Sequence, residues 1–271
     1  MMLDMWAREP PNTQDHDVFD AALCRAVAAL GLAVDQGQRA RMYAHFRRVI
    51  EANRVFNLTR ITAPADAAVQ HYADSLSLLA APWIDAGGPL TVLDVGTGAG
   101  FPAIPLAIVC CHWDITAIDG TGKKARFVAE TAAALKLTNV RAGHARAADL
   151  ACGWAGQPPG ATNIAPKRRA GEKACHTNKK RHLCCPERFD LVVLRAVTQL
   201  APGLKAVHRL VQPAGVVVFY KTVGIRQEEL TAGRKAGRSL GLQELEPFPV
   251  NLQGGGRAIR RQLICYRRSA Y

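Results

Sequence analysis

Three closely spaced glycines are the first residues in this sequence whose spacing suggests a chemical role. They lie in the stretch LTVLDVGTGAGFPAIPLAI (90–108), between an apolar run that ends near Asp94 and an apolar helical pattern. A strand, a glycine turn and a helix in this order hold a nucleotide-like ligand at the strand end, because glycine lets the backbone approach it closely. The ligand is then a nucleoside triphosphate, a dinucleotide or another nucleoside compound.

The residues that follow the turn discriminate between these ligands. A P-loop ends in Gly-Lys-Ser/Thr, whereas Gly100 is followed by Phe101 and Pro102, so no lysine reaches a terminal phosphate. The dinucleotide fingerprint needs a small residue at its sixth position, which Phe101 occupies. S-Adenosylmethionine carries no phosphate and needs neither feature. The turn, with Gly96 and Gly98, therefore favours S-adenosylmethionine.

Two carboxylates stand where they can serve such a ligand. Asp119 ends the next apolar run, 23 residues after Gly96. A carboxylate at that place accepts hydrogen bonds from both ribose hydroxyls of NAD or of S-adenosylmethionine. Asp94 ends the first run, where it orients the turn or meets a ligand ammonium group through water. The pair predicts a nucleoside site, and we expect S-adenosylmethionine as its cofactor.

These residues need a sheet to position them, and the sequence from Leu90 onward alternates between strand and helix patterns. Strands are predicted at 90–96, 114–120, 139–145, 189–197, 215–222 and 257–268, with helices at 102–110, 123–137 and 199–211. Such alternation predicts a doubly wound, Rossmann-like α/β sheet whose ligand lies at the carboxyl ends of the strands.

The part before the sheet has a helical pattern. Helices are predicted in 19–32, 37–58 and 65–84, with apolar residues at helical spacing that include Leu23, Val27, Leu30, Met42, Phe46, Val49 and Ile50. We therefore predict an N-terminal helical extension over residues 1–85 and a Rossmann-like domain over residues 86–271.

Charge is distributed unevenly along the chain. Residues 1–150 carry 14 basic and 15 acidic side chains, whereas residues 151–271 carry 21 basic and 7 acidic ones. Such asymmetry favours a polyanionic partner over a merely solubilising surface. Eight of the basic residues lie at 151–188, a segment without periodicity between the third and fourth strands. We interpret it as a surface insertion, either a basic loop that contacts RNA or one without function.

The cysteines suggest neither a metal centre nor disulfide bonds. The insertion contains Cys175, His176, His182, Cys184 and Cys185 without a Cys-x-x-Cys spacing, so we predict no metal. No run of about 18 apolar residues exists, and the acidic start of the chain is unlike a signal peptide. We expect a cytoplasmic protein with reduced thiols and no membrane contact.

Beyond the glycine turn, six segments resemble the RsmG/GidB family in sequence and in order. They are NRVFNLT (53–59), HYADSL (71–76), LDVGTGAGFPAIPLAI (93–108), IDGTGKKARFV (118–128), LTNVRAGHARAADL (137–150) and FDLVVLRAVTQL (189–200). The family consists of bacterial class I methyltransferases that transfer methyl from S-adenosylmethionine to N7 of a guanine in 16S ribosomal RNA. The resemblance covers residues 20–150 and 189–235.

The resemblance implies a donor pocket and a partner. Backbone groups of Ala147 and Ala148 would hold the adenine edge, although Ala148 stands where an acidic residue is common in the family. The partner would be 16S rRNA or the small ribosomal subunit, with no DNA, and the protein would act as a monomer. The complete set of expected cofactor-binding residues is Gly96, Gly98, Phe101, Asp119, Ala147, Ala148 and Arg195.

Arg195 follows the fourth strand, in the segment nearest to the donated methyl group. An Asn/Asp-Pro-Pro-Tyr/Phe clamp there would indicate an exocyclic amine acceptor, and a cysteine would indicate carbon-5 of a pyrimidine, but the segment reads LRAV. N7 of guanine has a lone pair and no proton, so its attack needs no general base, and we predict no catalytic acid–base residue. Arg195 then binds the donor carboxylate or guanine O6, or pairs with Asp94 or Asp119.

Basic residues after the second strand and on late loops are candidates for phosphate contacts with RNA. His71 and Asp74 share one helical face, and we expect them to pin the N-terminal helices to the sheet without acting chemically. The RNA-binding candidates are Lys123, Arg126, Lys221 and Arg257, with Lys124, Arg260 and Arg261 beside them.

Other functions remain open at this point. A non-catalytic nucleoside-sensing module could dock on RNA through the basic half, and a methyltransferase could modify another RNA position. A pure binder has no use for a methyl-donor pocket, which favours an enzyme. An NAD-dependent dehydrogenase is disfavoured by Phe101 and by the lack of a placed His or Tyr to handle hydride.

Overall fold

The computed structural model describes residues 13–151, 188–254 and 257–270. Its helices are α1 (Thr13–Ala29), α2 (Gln36–Asn53), α3 (Pro64–Ala67), α4 (Asp74–Leu76), α5 (Ala103–Val109), α6 (Gly122–Ala134), α7 (Ala147–Ala151), α8 (Leu200–Val207) and α9 (Gln227–Ser239). Its strands are β1 (Thr91–Val95), β2 (Asp114–Asp119), β3 (Val140–His144), β4 (Phe189–Arg195), β5 (Val211–Thr222), β6 (Leu242–Glu244), β7 (Phe248–Gly254) and β8 (Arg257–Arg268). In these parts of the chain, no helix is long and apolar enough to cross a membrane.

The strands form one sheet in the order β3-β2-β1-β4-β5-β8-β6, and β7 pairs with β8. Strands β1 to β5 are parallel, whereas β8 runs antiparallel to β5, β6 and β7. The strand order reverses between β1 and β4, which makes their carboxyl ends the expected ligand site in such a sheet. The predicted doubly wound α/β fold with N-terminal helices is confirmed, and all six predicted strands are present. Four elements were not predicted: α7, α9, β6 and β7.

Both faces of the sheet are buried. Leu191 and Val193 of β4 point towards one face, and Val192 and Leu194 point towards the other. The first face is covered by the N-terminal helices together with α5 and α6, and the second by α7, α8 and α9. The helical residues expected to be apolar contacts are buried in the first cluster or packed against it. One buried cluster thus joins the helical extension to the sheet.

The third predicted helix, 65–84, is interrupted. A π-helical turn over Ala68–Ala73 separates α3 from α4, and a 3₁₀ turn over Ser77–Ala80 ends the segment. The hydroxyls of Ser75 and Ser77 donate to the carbonyls of His71 and Asp74, which supplies local partners that a regular helix would take from its own backbone. Such π turns are frequent at functional sites, and this one carries His71 and leads directly into Asp74.

Candidate active site

The glycine turn lies at the carboxyl end of β1, next to the point where the strand order reverses. Gly96, Gly98 and Gly100 have φ angles of 74°, 59° and 95°, a region that residues with a β-carbon rarely adopt. The amides of Gly96 and Thr97 donate to the Ile118 carbonyl at 2.8 and 3.0 Å. The turn is therefore tied to β2 as well as to β1.

Gly96 and Gly98 are needed for different reasons. A β-carbon on Gly96 would lie 2.5 Å from Cγ2 of Val197, so the segment after β4 packs directly against this glycine. A β-carbon on Gly98 would meet only the Gly96 carbonyl, at 4.0 Å. The backbone at Gly98 is thus open towards the cleft, as the approach of a nucleoside ligand requires.

Asp119 holds the turn and retains capacity for a ligand. Its two carboxylate oxygens accept the amide of Gly98 at 3.0 Å and the amide of Thr121 at 2.7 Å. An ionised carboxylate has about four acceptor sites, so about two remain. Two acceptor sites are what the two hydroxyls of a ribose need. The carboxylate expected from the sequence therefore fits a nucleoside at this strand end.

Asp94 orients the start of α5. One of its oxygens accepts the amide of Ala103 at 3.2 Å, and the other is buried without a hydrogen-bond partner in the described parts of the chain. Burial raises the pKa of Asp94 to about 7. The sequence suggested that Asp94 orients the turn or meets a ligand ammonium group. The bond to Ala103 corresponds to the first of these roles.

The side chain of Phe101 points into the helical layer. Its ring stacks on His71 with 4.6 Å between the ring centroids, and it also packs against Tyr72 and His45 at 5.1 and 5.0 Å. Since the ring is 6 % exposed, a contact between Phe101 and the donor would come from its backbone. The phenylalanine that argues against a dinucleotide is therefore an anchor between the turn and the N-terminal helices.

His45 bonds to the backbone of the glycine turn, a contact that was not predicted from the sequence. It lies on α2 and is fully buried, and its Nε2 donates to the Ala99 carbonyl at 2.9 Å. Its Nδ1 accepts from the Tyr72 hydroxyl at 3.1 Å, which is the tautomer that the Ala99 carbonyl requires. Burial lowers the pKa of His45 to about 3, so the ring is neutral at physiological pH. Only its place among apolar residues on α2 could have hinted at burial.

Ala147 and Ala148 begin α7 just beyond the end of β3. The side chain of Ala147 is buried and that of Ala148 is exposed. Asp149 accepts the backbone amide of Arg146 at 3.1 Å and so closes the start of this helix. The backbone at Ala147 and Ala148 thus lies at the same edge of the sheet as Asp119, and their contact with adenine stays a prediction.

Arg195 is held by the N-terminal helical segment. Its Nε donates to Asp74 Oδ2 at 2.9 Å, and its Nη2 donates to the Gln70 carbonyl at 2.6 Å. Its guanidinium carbon lies 5.8 Å from the centre of the Phe101 ring. Pairing with Asp94 or Asp119, one of the three expectations, is therefore wrong. The expectation that His71 and Asp74 pin the helices is confirmed, because Asp74 bonds to β4 and His71 stacks on the turn.

The predicted RNA-binding side chains differ in exposure and in whether they are already bonded within the protein. Lys123 and Arg126 are exposed at the start of α6, on the edge that carries Asp119. Lys221 donates to Glu229 at 2.8 Å and to the Thr198 carbonyl at 2.7 Å, so its ammonium group is already occupied on the face covered by α9. Arg257 begins β8, but its side chain lies outside the described residues. Residues 152–187, which make up most of the predicted insertion, also lie outside the described residues.

Comparison with known proteins places this geometry in a family. The family model described as GidB, rRNA small subunit methyltransferase G, matches residues 36–157. A ribosomal RNA small subunit methyltransferase G from Bordetella pertussis is 30 % identical over 252 residues, which cover 91 % of this chain and 92 % of that protein. The protein of the same name from Deinococcus deserti is 34 % identical over 211 residues, covering 77 % and 73 %.

A solved structure of an S-adenosylmethionine-dependent methyltransferase from Aquifex aeolicus aligns with a TM-score of 0.47 at 16 % identity, covering 74 % of this chain and 92 % of that one. The matches cover 92 % and 73 % of these two relatives, and the resemblance noted in the motifs is confirmed. The chain belongs to the GidB family of rRNA small subunit methyltransferases G.

Proposed function

We propose that this protein transfers a methyl group from S-adenosylmethionine to N7 of a guanine in 16S rRNA of the small ribosomal subunit. The observation that carries the proposal is the open glycine turn with Asp119 bonded to Gly98, at the strand-order reversal of a GidB-family chain. The proposed enzyme acts as a monomer in the cytoplasm, where its substrate is made, and needs neither DNA nor a membrane.

The chain's own residues bind and orient the two reactants. The backbone of Gly96, Gly98 and Phe101 lines the donor site, Asp119 accepts the ribose hydroxyls, and the backbone of Ala147 and Ala148 receives the adenine. When bound, S-adenosylmethionine supplies a methyl group that its sulfonium makes electrophilic. Arg195 lies between this site and the acceptor side, because β4 is the neighbour of β1.

Guanine N7 suits the groups that surround the end of β4. N7 has a free lone pair, so no side chain needs to remove a proton, and alignment with exclusion of water is sufficient. The two histidines nearest to the turn, His45 and His71, are neutral, since burial lowers the pKa of each to about 3. Neither is therefore suited to donate a proton at neutral pH.

The test is methyl transfer from labelled S-adenosylmethionine to small ribosomal subunits from cells that lack this protein. Mass spectrometry then identifies the modified nucleotide, and we expect 7-methylguanosine at one site. Another methylated nucleotide would keep the reaction and overturn the acceptor. Binding of S-adenosylmethionine without transfer to subunits or to naked rRNA would favour a non-catalytic RNA-binding module.

A matched pair of variants on β2 tests the donor site. Asp119→Asn places an amide group where two ribose hydroxyls need acceptors, and we expect its affinity for S-adenosylhomocysteine to fall about tenfold or more. Asp114→Asn changes the same chemistry at the other end of the strand, where Asp114 is exposed and pairs with Arg141. Its affinity should match that of the unmodified protein. Equal losses in both variants would argue against the donor site.

A further inference from the structure

One carboxylate lies between two guanidinium groups at the carboxyl end of the sheet. Arg195 bonds to Asp74 Oδ2, and the Nε of Arg261 lies 3.7 Å from Asp74 Oδ1. The Asp74 side chain is 2 % exposed, whereas those of Arg195 and Arg261 are 14 % and 27 % exposed. The cluster joins the π-helical segment, β4 and β8, and the arginines form its accessible side.

Three polar atoms in this cluster are buried without a hydrogen bond in the described residues. They are His71 Nδ1, Asp74 Oδ1 and Arg261 Nε. Buried polar atoms in folded proteins nearly always have partners, so the two unbonded atoms that face each other, Asp74 Oδ1 and Arg261 Nε, indicate that a further group completes the cluster.

The cluster carries one net positive charge, because a single carboxylate, Asp74, pairs with both Arg195 and Arg261. Arg195 bonds directly to Asp74, and its charge also acts on the nearby Asp94. Among the described residues, Arg261 has only the longer ion pair with Asp74, at 3.7 Å, and His71 beside it adds no negative charge. A partly buried guanidinium that shares its one carboxylate with a second arginine favours an oxyanion ligand.

Arg261 lies on the acceptor side of the cleft. The donor features belong to β1, β2 and β3, whereas β8 is three strands from β1, or about 14 Å at the usual strand spacing. Arg195 pairs in register with Tyr220, and Tyr220 pairs with Leu263, so these residues and Arg261 share one face of the sheet. The position of its backbone, away from the donor features, favours an oxyanion from the molecule opposite the donor.

We propose that Arg261 binds a backbone phosphate of the RNA acceptor, and that Asp74 is a positioning residue that holds Arg195 and Arg261 on the two sides of the reaction. The inference rests on the proposed function, because RNA is the oxyanion-bearing substrate that it names. Asp74 in the helical extension thereby links the residue next to the donor with the residue that receives the acceptor strand.

The test compares two glutamine substitutions on β8. Arg261→Gln should weaken binding to small ribosomal subunits about tenfold at low salt, and the slope of log K against log salt should become shallower by about 0.7–0.9. Its affinity for S-adenosylhomocysteine should stay within about twofold. Arg267→Gln removes the same charge about 20 Å away along the strand, where Arg267 is exposed, and should leave both affinities unchanged.

Asp74 is tested through its dependence on Arg261. Asp74→Asn keeps an acceptor for Arg195 but removes the charge between the arginines, and we expect KM for the subunit to rise about fivefold or more with a smaller change in kcat. In the Arg261→Gln background the same substitution should change KM by less than about twofold. Equal effects in both backgrounds would show that Asp74 does not act through Arg261.

Two other results would overturn the assignment of Arg261. A loss of S-adenosylhomocysteine affinity with unchanged subunit binding would assign the oxyanion to the donor carboxylate. No change in either affinity would leave Arg261 a packing residue. Methyl transfer by the unmodified protein is measured on the same subunits. If no transfer occurs, the proposed function is wrong, and the binding comparison still shows whether Arg261 contacts the RNA.

Discussion

Gly96 of the glycine turn packs against Val197, in the segment that follows β4. Gly96→Ala must adopt a φ of 74° and also displace Val197, whose Cγ2 would lie 2.5 Å from the new β-carbon. Gly31→Ala has the same strain, at φ 72°, with no atom within 4 Å, and it provides a matched control. Gly31→Ala should lose about 1–2 kcal/mol of stability from the backbone strain alone, and Gly96→Ala should lose more because of the contact with Val197. We expect only Gly96→Ala to lose affinity for S-adenosylhomocysteine, which calorimetry measures. Equal affinities of the two variants would show that the packing of Val197 on Gly96 does not shape the donor site.

Three buried groups determine an unusual response to pH. His45 and His71 have pKa values of about 3 because burial disfavours their charged forms, so below the ordinary value of 6.5 the unfolded chain binds more protons at both sites. Burial raises the pKa of Asp94 from 3.8 to about 7, so there the folded chain binds the extra proton. Between about pH 4 and pH 6, the unfolded chain therefore binds about one proton more than the folded chain at these three groups. The free energy of unfolding should fall by about 1 kcal/mol between pH 6 and pH 5.

Asp94→Asn tests the sign of this balance. The substitution removes the only opposing contribution of the three, so the fall in the free energy of unfolding should become about twice as steep, roughly 2 kcal/mol between pH 6 and pH 5. Urea titrations at pH 6 and pH 5 measure both slopes. An unchanged slope would mean that Asp94 is ionised in the folded protein over this range.

Local residues of the site were predictable from the sequence, and long-range pairs were not. The glycine turn and Asp119 follow from a strand, a turn and a strand that are close together in the chain. The bond between Asp74 and Arg195 joins residues separated by 121 positions. Spacing placed His71 and Asp74 on one face of a helix, but it carries no information about which strand that face meets.

Elements were predictable where apolar residues mark their buried side. Helix α9 was missed because its buried residues are Gly233, Ala236 and Gly237. A β-carbon on Gly233 would lie 2.7 Å from the Tyr266 hydroxyl and 2.9 Å from Leu200, so the helix packs closely because its contact side is small. Strand β6 is three residues long, and β7 contains a proline, so neither has the alternation that identifies a strand.

The junction of β5, α8 and α9 gives a prediction about Lys221. Glu229 accepts both the Lys221 ammonium and the amide of Leu200, and the lysine and glutamate side chains are 19 % and 17 % exposed. Lys221→Met leaves this carboxylate without its cation, and the free energy of unfolding should fall by about 2 kcal/mol. The salt dependence of RNA binding should not change, because the ammonium group is already bonded within the protein.

Lys123→Met is the counterpart of this substitution. Lys123 is exposed on α6, so stability should stay within about 0.5 kcal/mol while the slope of log K against log salt becomes shallower by about 0.7–0.9. Urea unfolding and filter binding distinguish the two variants. The reverse pattern would make Lys221 the RNA contact and Lys123 a structural residue.

On the scale of the whole molecule, the helical extension and the sheet meet at the site. The predicted division near residue 85 follows a change in sequence pattern, yet the extension supplies His45 beneath the turn and Asp74 beside Arg195. Periodicity separates helices from alternating strands, but it does not show that the two parts share one buried cluster. The candidate site therefore depends on contacts between the helical extension and the sheet.

The place where the insertion joins the fold leads to the last prediction. Helix α7 ends at Ala151 and contacts the turn His208–Leu210 that precedes β5, and β4 begins at Phe189. The described ends that residues 152–187 connect therefore lie away from the carboxyl end of the sheet, which carries the glycine turn. Residues 152–187 carry a net charge of +5. Replacing them with a Gly/Ser linker should leave S-adenosylhomocysteine affinity within about twofold and weaken binding to small ribosomal subunits, most strongly at low salt, because the lost attraction is electrostatic. Calorimetry and filter binding at two salt concentrations measure both effects. A loss of S-adenosylhomocysteine affinity would contradict this prediction. It would show that residues 152–187 contribute to the donor site.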